Sequence, residues 1–213
     1  MKRLNLGLFI ILLLAFQGGC SNPPYQDIVN MNEPSGSTLI CFGDSLTSGM
    51  GAKEINYPSL IAQKISMPVI NAGRSGDTTY SALNRIKADV LSKDPKVVIV
   101  ELGANDFLLW RDAGRPGYTL EDTFKNIETI IDKIQEGGAA VVLAAIPFDY
   151  EYKKNYERIA REKGALLIPN IMEGVLGHSD LMSLDRVHPN DEGYKVMAQT
   201  VLKYVEPLLK VKK

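Results

Sequence analysis

Short apolar runs alternate with amphipathic stretches from Thr38 onwards, and this alternation predicts the fold. Two of the runs, Val97–Val100 and Val141–Leu143, are continuous and β-branched, which suits strands that are buried on both faces of a parallel sheet. Each run is short enough for a strand and is followed by polar or glycine-containing residues. The predicted strands are Thr38–Phe42, Pro68–Asn71, Lys96–Leu102, Ala139–Ala145 and Ala165–Ile168.

The stretches between these runs have helical spacing. In Thr119–Gln135, for example, Phe124, Ile127 and Ile131 lie three or four residues apart. Strands that alternate with helices form right-handed βαβ units, so the chain is predicted to be an α/β protein, a three-layer αβα sandwich. We expect five parallel strands in the flavodoxin-like order 2-1-3-4-5. The predicted helices are Tyr57–Ile65, Thr79–Leu91, Thr119–Gln135, Tyr152–Lys163 and Asp191–Leu209.

The N-terminal residues have the composition of an export signal rather than of a folded element. Lys2 and Arg3 precede a mostly apolar run, Leu4–Phe16, which is too short for an ordinary transmembrane helix. The small residues before Cys20 resemble the lipobox of bacterial lipoproteins, in which the signal is removed and the cysteine is acylated. Ordinary signal cleavage, giving a free secreted or periplasmic protein, is the alternative.

Residues 20–37 are rich in Pro, Asn, Ser and Gly and are predicted to form a flexible tether. The expected organisation is therefore a signal peptide (1–19), a lipidated Cys20 with its tether (20–37), and one domain (38–213). We expect an exported lipoprotein that is anchored to a membrane and faces the periplasm or the exterior, and a monomer. The net charge of −1 and the absence of a dense Lys/Arg run argue against a nucleic-acid partner.

Polar clusters follow three of the predicted strands, and a fourth precedes the last helix. They are Asp44-Ser45, Asn71–Thr78, Gly103–Asp106 and Asp185–Asn190. Because parallel strands bring their carboxyl ends to one edge of the sheet, these segments are expected to converge there. No Gly-x-Ser-x-Gly elbow, His-Glu-x-x-His motif or Cys/His cluster is found, so neither a different serine hydrolase fold nor a metal site is indicated.

Ser45, directly after the first strand, is the candidate nucleophile. A serine hydroxyl needs a neutral imidazole as its base. His188 lies three residues after Asp185, a spacing that lets one short turn hold the carboxylate against the far ring nitrogen. His178 has no such pattern and is interpreted as a loop residue, and Cys41 as a small buried hydrophobe.

Gly-Asp-Ser-Leu, Ser-Gly-Asp-Thr, Gly-Ala-Asn-Asp and Asp-x-x-His-Pro-Asn, in this order, resemble the four blocks of the SGNH (GDSL) hydrolases, in particular the bacterial thioesterase I / lysophospholipase L1 / arylesterase branch. The resemblance implies a Ser45–His188–Asp185 triad and no cofactor. It also implies an oxyanion hole made by the backbone N–H of Ser45, the backbone N–H of Gly76 and the side chain of Asn105. Gly73 competes with Gly76 for this role, and alignment to the family's motif favours Gly76.

Apolar residues adjoin these blocks and are candidates for a substrate pocket. They are Phe107, Leu108, Trp110, Pro147 and Phe148. Such a cleft suits an acyl chain or an aryl ring, although the same residues could instead anchor the core and loops. The sequence therefore predicts a serine esterase for aryl or acyl esters, thioesters or lysophospholipids. The alternatives are a glycan O-deacetylase with the same site and an envelope lipoprotein without catalysis.

Overall fold

Five parallel strands form the centre of the molecule in a computed structural model that describes residues 34–111 and 119–209. The strands are β1 (Thr38–Gly43), β2 (Val69–Gly73), β3 (Pro95–Glu101), β4 (Ala140–Ala144) and β5 (Leu166–Ile168). Their order in the sheet is β2-β1-β3-β4-β5. The predicted fold and strand order are thereby confirmed. The predicted signal peptide, Cys20 and most of the predicted tether lie outside the described residues.

Helices connect successive strands. They are α1 (Ser45–Ser48), α2 (Tyr57–Ala62), α3 (Thr79–Asp89), α4 (Ala104–Arg111), α5 (Leu120–Glu136), α6 (Tyr150–Lys163) and α7 (Asp191–Leu209), and a single 3-10 turn spans Leu91–Lys93. The sequence did not predict α1 and α4. Both are too short to show an apolar period, and both begin inside the polar clusters that follow strands.

Two apolar layers cover the two faces of the sheet. Ile40 and Phe42 of β1 pack with residues of α3, α5 and α6 on one face. Leu39 and Cys41 pack with residues of α2 and α7 on the other. Full burial of each such aliphatic or aromatic side chain contributes about 1.5–3 kcal/mol. Burial also raises the pKa of the Cys41 thiol far above its ordinary value, as expected for a residue that serves as a core hydrophobe.

The strand register brings three loop segments together. Gly43, at the end of β1, pairs with Gly73 of β2 on one side and with Glu101 of β3 on the other. The chain therefore leaves these three strands at the same height, so the segments that carry Ser45, Gly76 and Asn105 emerge side by side. Within the residues described, no helix is both long enough and apolar enough to cross a membrane.

Candidate active site

Ser45 is the first residue of α1, immediately after β1 ends. The side chain of Asp44 caps this helix by accepting a hydrogen bond from the backbone N–H of Leu46 at 3.0 Å. Such a cap satisfies one of the backbone donors that a helix start leaves unpaired. The Gly43-Asp44 sequence thus ends β1 and begins a short helix, and the cap fixes the position of Ser45 as the first residue of that helix.

His188 lies between Ser45 and Asp185. Its Nδ1 is 2.7 Å from Asp185 Oδ2, and its Nε2 is 2.8 Å from Ser45 Oγ. Because a carboxylate can only accept, Nδ1 of a neutral imidazole must carry the proton. Nε2 is then free to accept the hydrogen bond of the Ser45 hydroxyl. The structure brings together, in one line, the three residues that the sequence predicted for the triad.

The turn between residues 183 and 188 holds Asp185 through several donors. Its Oδ1 accepts from the backbone N–H groups of His188 and Val187, at 2.9 and 2.8 Å, and from Ser183 Oγ at 2.7 Å. These hydrogen bonds, led by those from His188, hold the pKa of the Asp185 carboxyl well below its ordinary value. Asp185 is therefore ionised at neutral pH, and the 41% exposure of its side chain also favours the charged form.

Gly76 sits in the loop after β2 with a left-handed backbone, φ 79°, and a Cβ placed there would meet no atom within 4 Å. The space beside its Cα is therefore open, and Gly76 also lines the cavity next to Ser45. Gly73 is different, because a Cβ there would approach the backbone N of Ser48 to 2.2 Å. Close packing of β2 against α1, rather than the turn geometry that the sequence suggested, explains that glycine.

Asn105, in the first turn of α4, donates two hydrogen bonds from its side-chain amide. One goes to Asp44 Oδ2 at 3.1 Å and the other to the backbone carbonyl of Asp77 at 2.9 Å. Asn105 thereby links the loop that carries Gly76 to the residue before Ser45. The three predicted oxyanion donors are thus neighbours, and the amide of Asn105 is held in place by its partners.

Arg85 stabilises the same region, and it was not identified from the sequence. Its buried guanidinium pairs with Asp77 and donates to the carbonyl oxygens of Gly43 at 3.0 Å and Ala72 at 2.8 Å. These bonds tie the carboxyl ends of β1 and β2 to the loop that follows Gly76. A buried ion pair of this kind costs desolvation, and its fixed geometry holds the loop in one place.

Two buried carboxyl groups lie next to the proposed nucleophile. Burial raises the pKa of Asp44 to about 6 and raises that of Glu101 well above its ordinary value, with the charge of Asp44 adding to the rise in Glu101. Thr47 Oγ1 donates to Glu101 Oε2 at 2.9 Å. Sequence reasoning missed Glu101 because an acidic residue at the end of an apolar strand is ordinarily exposed.

A cavity of about 640 Å³ opens beside Ser45 and His188. Its walls are mostly apolar, and they come from the loops and helices that follow the strands. The lining side chains include Met50, Leu108, Ile146, Phe148, Met172, Leu176, Arg186 and Val187. Leu108 and Phe148 were predicted to line a pocket, whereas the other six were not.

The remaining candidate pocket residues lie elsewhere. Phe107 is buried behind the wall, with its ring stacked on that of Phe148 at 4.5 Å. Trp110 packs edge-on against Phe107 at 6.1 Å and is not part of the lining. Pro147 is also outside the lining. Side chains three or four residues apart share one face of helix α4, whereas consecutive side chains point in different directions. Only some of the four apolar residues 107–110 can therefore face the cavity.

Comparison with known proteins adds to this geometry. The profile of the GDSL-like lipase/acylhydrolase family matches residues 41–196, which include all four sequence blocks. The chain belongs to this family. Its members hydrolyse ester bonds, and this chain is an ester-hydrolysing enzyme.

Individual relatives of this GDSL-like hydrolase cover most of its length. It is 29% identical over 194 residues to thioesterase 1/protease 1/lysophospholipase L1 of Escherichia coli K12, covering 85% of this chain and 89% of that protein. It is 30% identical over 177 residues to an arylesterase of Vibrio mimicus, covering 76% and 85% of the two chains. Among solved structures, TesA superposes with a TM-score of 0.74 at 26% identity, covering 81% of this chain and 99% of that one.

One relative carries a lipoprotein name. The chain is 27% identical over 144 residues to the uncharacterized lipoprotein YqeF of Bacillus subtilis, covering 64% of this chain and 54% of that protein. Within the described residues of this hydrolase, no three His, Cys, Asp or Glu side chains are grouped so that they could hold a metal ion.

Proposed function

We propose that this GDSL-like hydrolase is a serine esterase that works through an acyl-enzyme formed on Ser45. The observation that carries the proposal is the unbroken hydrogen-bond chain from Asp185 through His188 to Ser45 at the wall of an apolar cavity. A serine hydroxyl becomes nucleophilic when a neutral imidazole accepts its proton, and a carboxylate on the far ring nitrogen keeps that imidazole in the required tautomer.

The reaction follows from this arrangement. Ser45 Oγ attacks the ester carbonyl while His188 Nε2 takes its proton. The tetrahedral intermediate collapses, and the imidazolium gives the proton to the leaving alcohol or thiol. Water then attacks the acyl-enzyme with the same histidine as base, and the carboxylic acid is released. Ionised Asp185 stabilises the imidazolium in both halves, since opposite charges at hydrogen-bond distance favour the charged form.

The negative oxygen of the intermediate requires donors that are already in place. We assign them to the backbone N–H groups of Ser45 and Gly76 and to the amide of Asn105. The Asn105 N–H that now points at Asp44, at 3.1 Å, is the longer of its two hydrogen bonds and is the one that we assign to the oxyanion. The shorter bond, to the Asp77 carbonyl, keeps the amide in position.

The apolar cavity supports carboxylic esters with an acyl chain or an aryl ring as substrates, including thioesters and lysophospholipids. Such pockets favour ligands that bury hydrocarbon and offer few polar groups to match. The similarity to a thioesterase 1/protease 1/lysophospholipase L1 and to an arylesterase supports the same classes.

The test is the hydrolysis of p-nitrophenyl esters, from acetate to palmitate, by the wild type, Ser45→Ala and a surface control, Ser92→Ala. We expect Ser45→Ala to lose about four to six orders of magnitude in kcat and Ser92→Ala to lose none. Equal activity in Ser45→Ala would exclude the acyl-enzyme on Ser45. Cleavage of acetate alone would move the assignment to a glycan O-deacetylase, and inactivity of a folded wild type to an envelope protein without catalysis.

We also propose that the mature protein is an exported lipoprotein acylated at Cys20, which the lipobox-like sequence and the similarity to a lipoprotein support. Radiolabelled palmitate should be incorporated into the wild type and not into Cys20→Ser when each is expressed in a bacterial host. Equal labelling of both would exclude this site.

A further inference from the structure

Large hydrophobic side chains are exposed at only one edge of the sheet among the residues described. Each follows the carboxyl end of a strand, before or within the first turns of the next long helix. The segments that lead from a helix into the next strand carry none. We call this set the apolar rim: Met50, Tyr80, Leu108, Trp110, Phe148, Tyr150, Leu176, Leu184 and Val187.

The apolar rim is continuous with the proposed active-site cavity. Five of its members, Met50, Leu108, Phe148, Leu176 and Val187, also line that cavity. Single exposed hydrophobic residues are normal on protein surfaces, but a cluster confined to one edge and centred on an opening marks an interaction surface. The rim therefore surrounds the entrance through which a substrate must pass.

The aromatic members of the rim are held outward by the core beneath them. Phe148 stacks on buried Phe107, and Trp110 packs against the edge of the same ring. Both rings therefore pack on Phe107 on one side and remain partly exposed on the other. Tyr80 and Tyr150 are 63% and 72% exposed. Tyrosine and tryptophan combine an apolar ring with a polar end, and they favour the boundary between lipid and water.

A cationic side chain, Arg186, lies next to the rim residue Val187. Arg186 lines the cavity beside the proposed triad, is exposed, and forms no ion pair or hydrogen bond through its side chain with the residues described. Its backbone is left-handed, φ 57°, which is uncommon for a residue other than glycine and costs energy that a glycine there would avoid. An arginine among apolar side chains suits a surface of phosphate groups above hydrocarbon.

We propose that the apolar rim docks on a phospholipid surface, so that the cavity opens toward the membrane. A protein partner or a second copy seated on the rim would close the entrance to the cavity, whereas a lipid surface would leave it open to acyl chains. The proposal goes beyond the esterase assignment and does not require chemistry at Ser45. Residues 20–37, when extended, span up to about 60 Å, which is enough for a membrane-anchored domain to turn this edge to the bilayer.

The chain supplies its own reporter, because Trp110 is its one tryptophan and belongs to the rim. The full-length protein is bound to phosphatidylcholine vesicles whose acyl chains carry bromine, which quenches tryptophan at short range. We expect the fluorescence of Trp110 to be quenched in the wild type and equally in Ser45→Ala. The N-terminal segment can attach any variant to the vesicle. Quenching of Trp110 therefore reports that the rim meets the lipid, and not only that the protein is attached.

The decisive variant is Tyr80→Ser with Tyr150→Ser, because both side chains are exposed and neither lines the cavity. We expect quenching to be lost, hydrolysis of soluble p-nitrophenyl acetate to be unchanged, and hydrolysis of an ester dispersed in vesicles to fall about tenfold or more. Gln63→Ser, at the opposite edge, should behave as the wild type in all three measurements.

Three results would overturn the proposal. Trp110 could remain unquenched in wild-type protein that is bound to vesicles, or the double variant could be quenched as strongly as the wild type. Protection of Trp110 from aqueous acrylamide without lipid, increasing with protein concentration, would show instead that a second copy covers the rim. Retained activity in Ser45→Ala would remove the esterase proposal and leave the quenching result unaffected.

Discussion

The exposed turn that holds Asp185 and the buried pair Asp44 and Glu101 place carboxyl groups near Ser45 in opposite environments. Hydrogen-bond donors surround Asp185 and lower its pKa, whereas burial raises the pKa of both Asp44 and Glu101. The Asp44 side chain is 1% exposed, compared with 41% for Asp185. Burial on one side and hydrogen-bond donors on the other thus shift the pKa values of these carboxyl groups in opposite directions.

The difference has a chemical consequence. A charge on Asp185 stabilises the imidazolium that forms when His188 takes a proton. A full negative charge on the buried pair would oppose the oxyanion that develops nearby, because charges interact strongly in a medium of low dielectric constant. Raised pKa values at Asp44 and Glu101 reduce that opposing charge. Similar residue types therefore serve separate purposes according to their surroundings.

The largest expected effect on kcat is that of a substitution at Asp185, the exposed carboxyl group of this comparison. In Asp185→Asn, the amide oxygen keeps the backbone hydrogen bonds of the turn, while the amide NH₂ faces His188 Nδ1. The imidazole must then carry its proton on Nε2 and cannot accept one from Ser45. We expect kcat to fall by up to about four orders of magnitude without loss of folding, measured with p-nitrophenyl esters. Asp180→Asn, in the same exposed segment, is the control, and near-normal kcat in Asp185→Asn would contradict the triad.

A smaller effect is expected for Asn105→Ala, because the Asn105 amide, which contacts the buried Asp44, is one of the proposed oxyanion donors. Loss of one oxyanion donor should reduce kcat by about two to three orders of magnitude, with a much smaller change in KM. Asn155→Ala, which removes an exposed amide on α6, is the matched control. If KM changed and kcat did not, Asn105 would bind substrate without stabilising the transition state.

The smallest kinetic effect is expected for Glu101→Gln, in which the amide can still accept from Thr47. An acid whose pKa is raised by folding makes the protein less stable as pH rises, because the unfolded chain ionises first. For Asp44, a rise from 3.8 to about 6 corresponds to about 3 kcal/mol of stability lost across that window. Glu101→Gln removes the loss of stability that the raised pKa of Glu101 causes as pH rises.

We therefore expect Glu101→Gln to melt about 2–8 °C above the wild type at pH 8 and at the same temperature near pH 4, with kcat within about threefold. Glu128→Gln, on the surface, should show no such pH dependence. A hundredfold fall in kcat at unchanged KM would show that Glu101 takes part in the chemistry, and the contrast between the two regions would fail.

Local sequence was sufficient for the sheet and for the centre of the site. Continuous β-branched runs such as Val97–Val100 occur in strands with two covered faces, and their alternation with helices predicts a parallel sheet, whose expected order 2-1-3-4-5 is the one observed. The residues Ser45, Asp185 and His188 were also identifiable, because a nucleophile after a strand and a carboxylate three residues from a histidine are short-range patterns.

Only the tertiary structure decided the lining of the cavity, the burial of Asp44 and Glu101, and the position of the apolar rim. Ile146, Met172 and Leu176 line one cavity only because the segments that follow β4 and β5 begin at the same edge of the sheet. The raised pKa of Glu101 depends on burial next to Asp44, and burial is a sum over contacts from distant segments. Periodicity along a chain reports which side of an element is apolar, whereas the position of that side relative to other elements exists only once the sheet has formed.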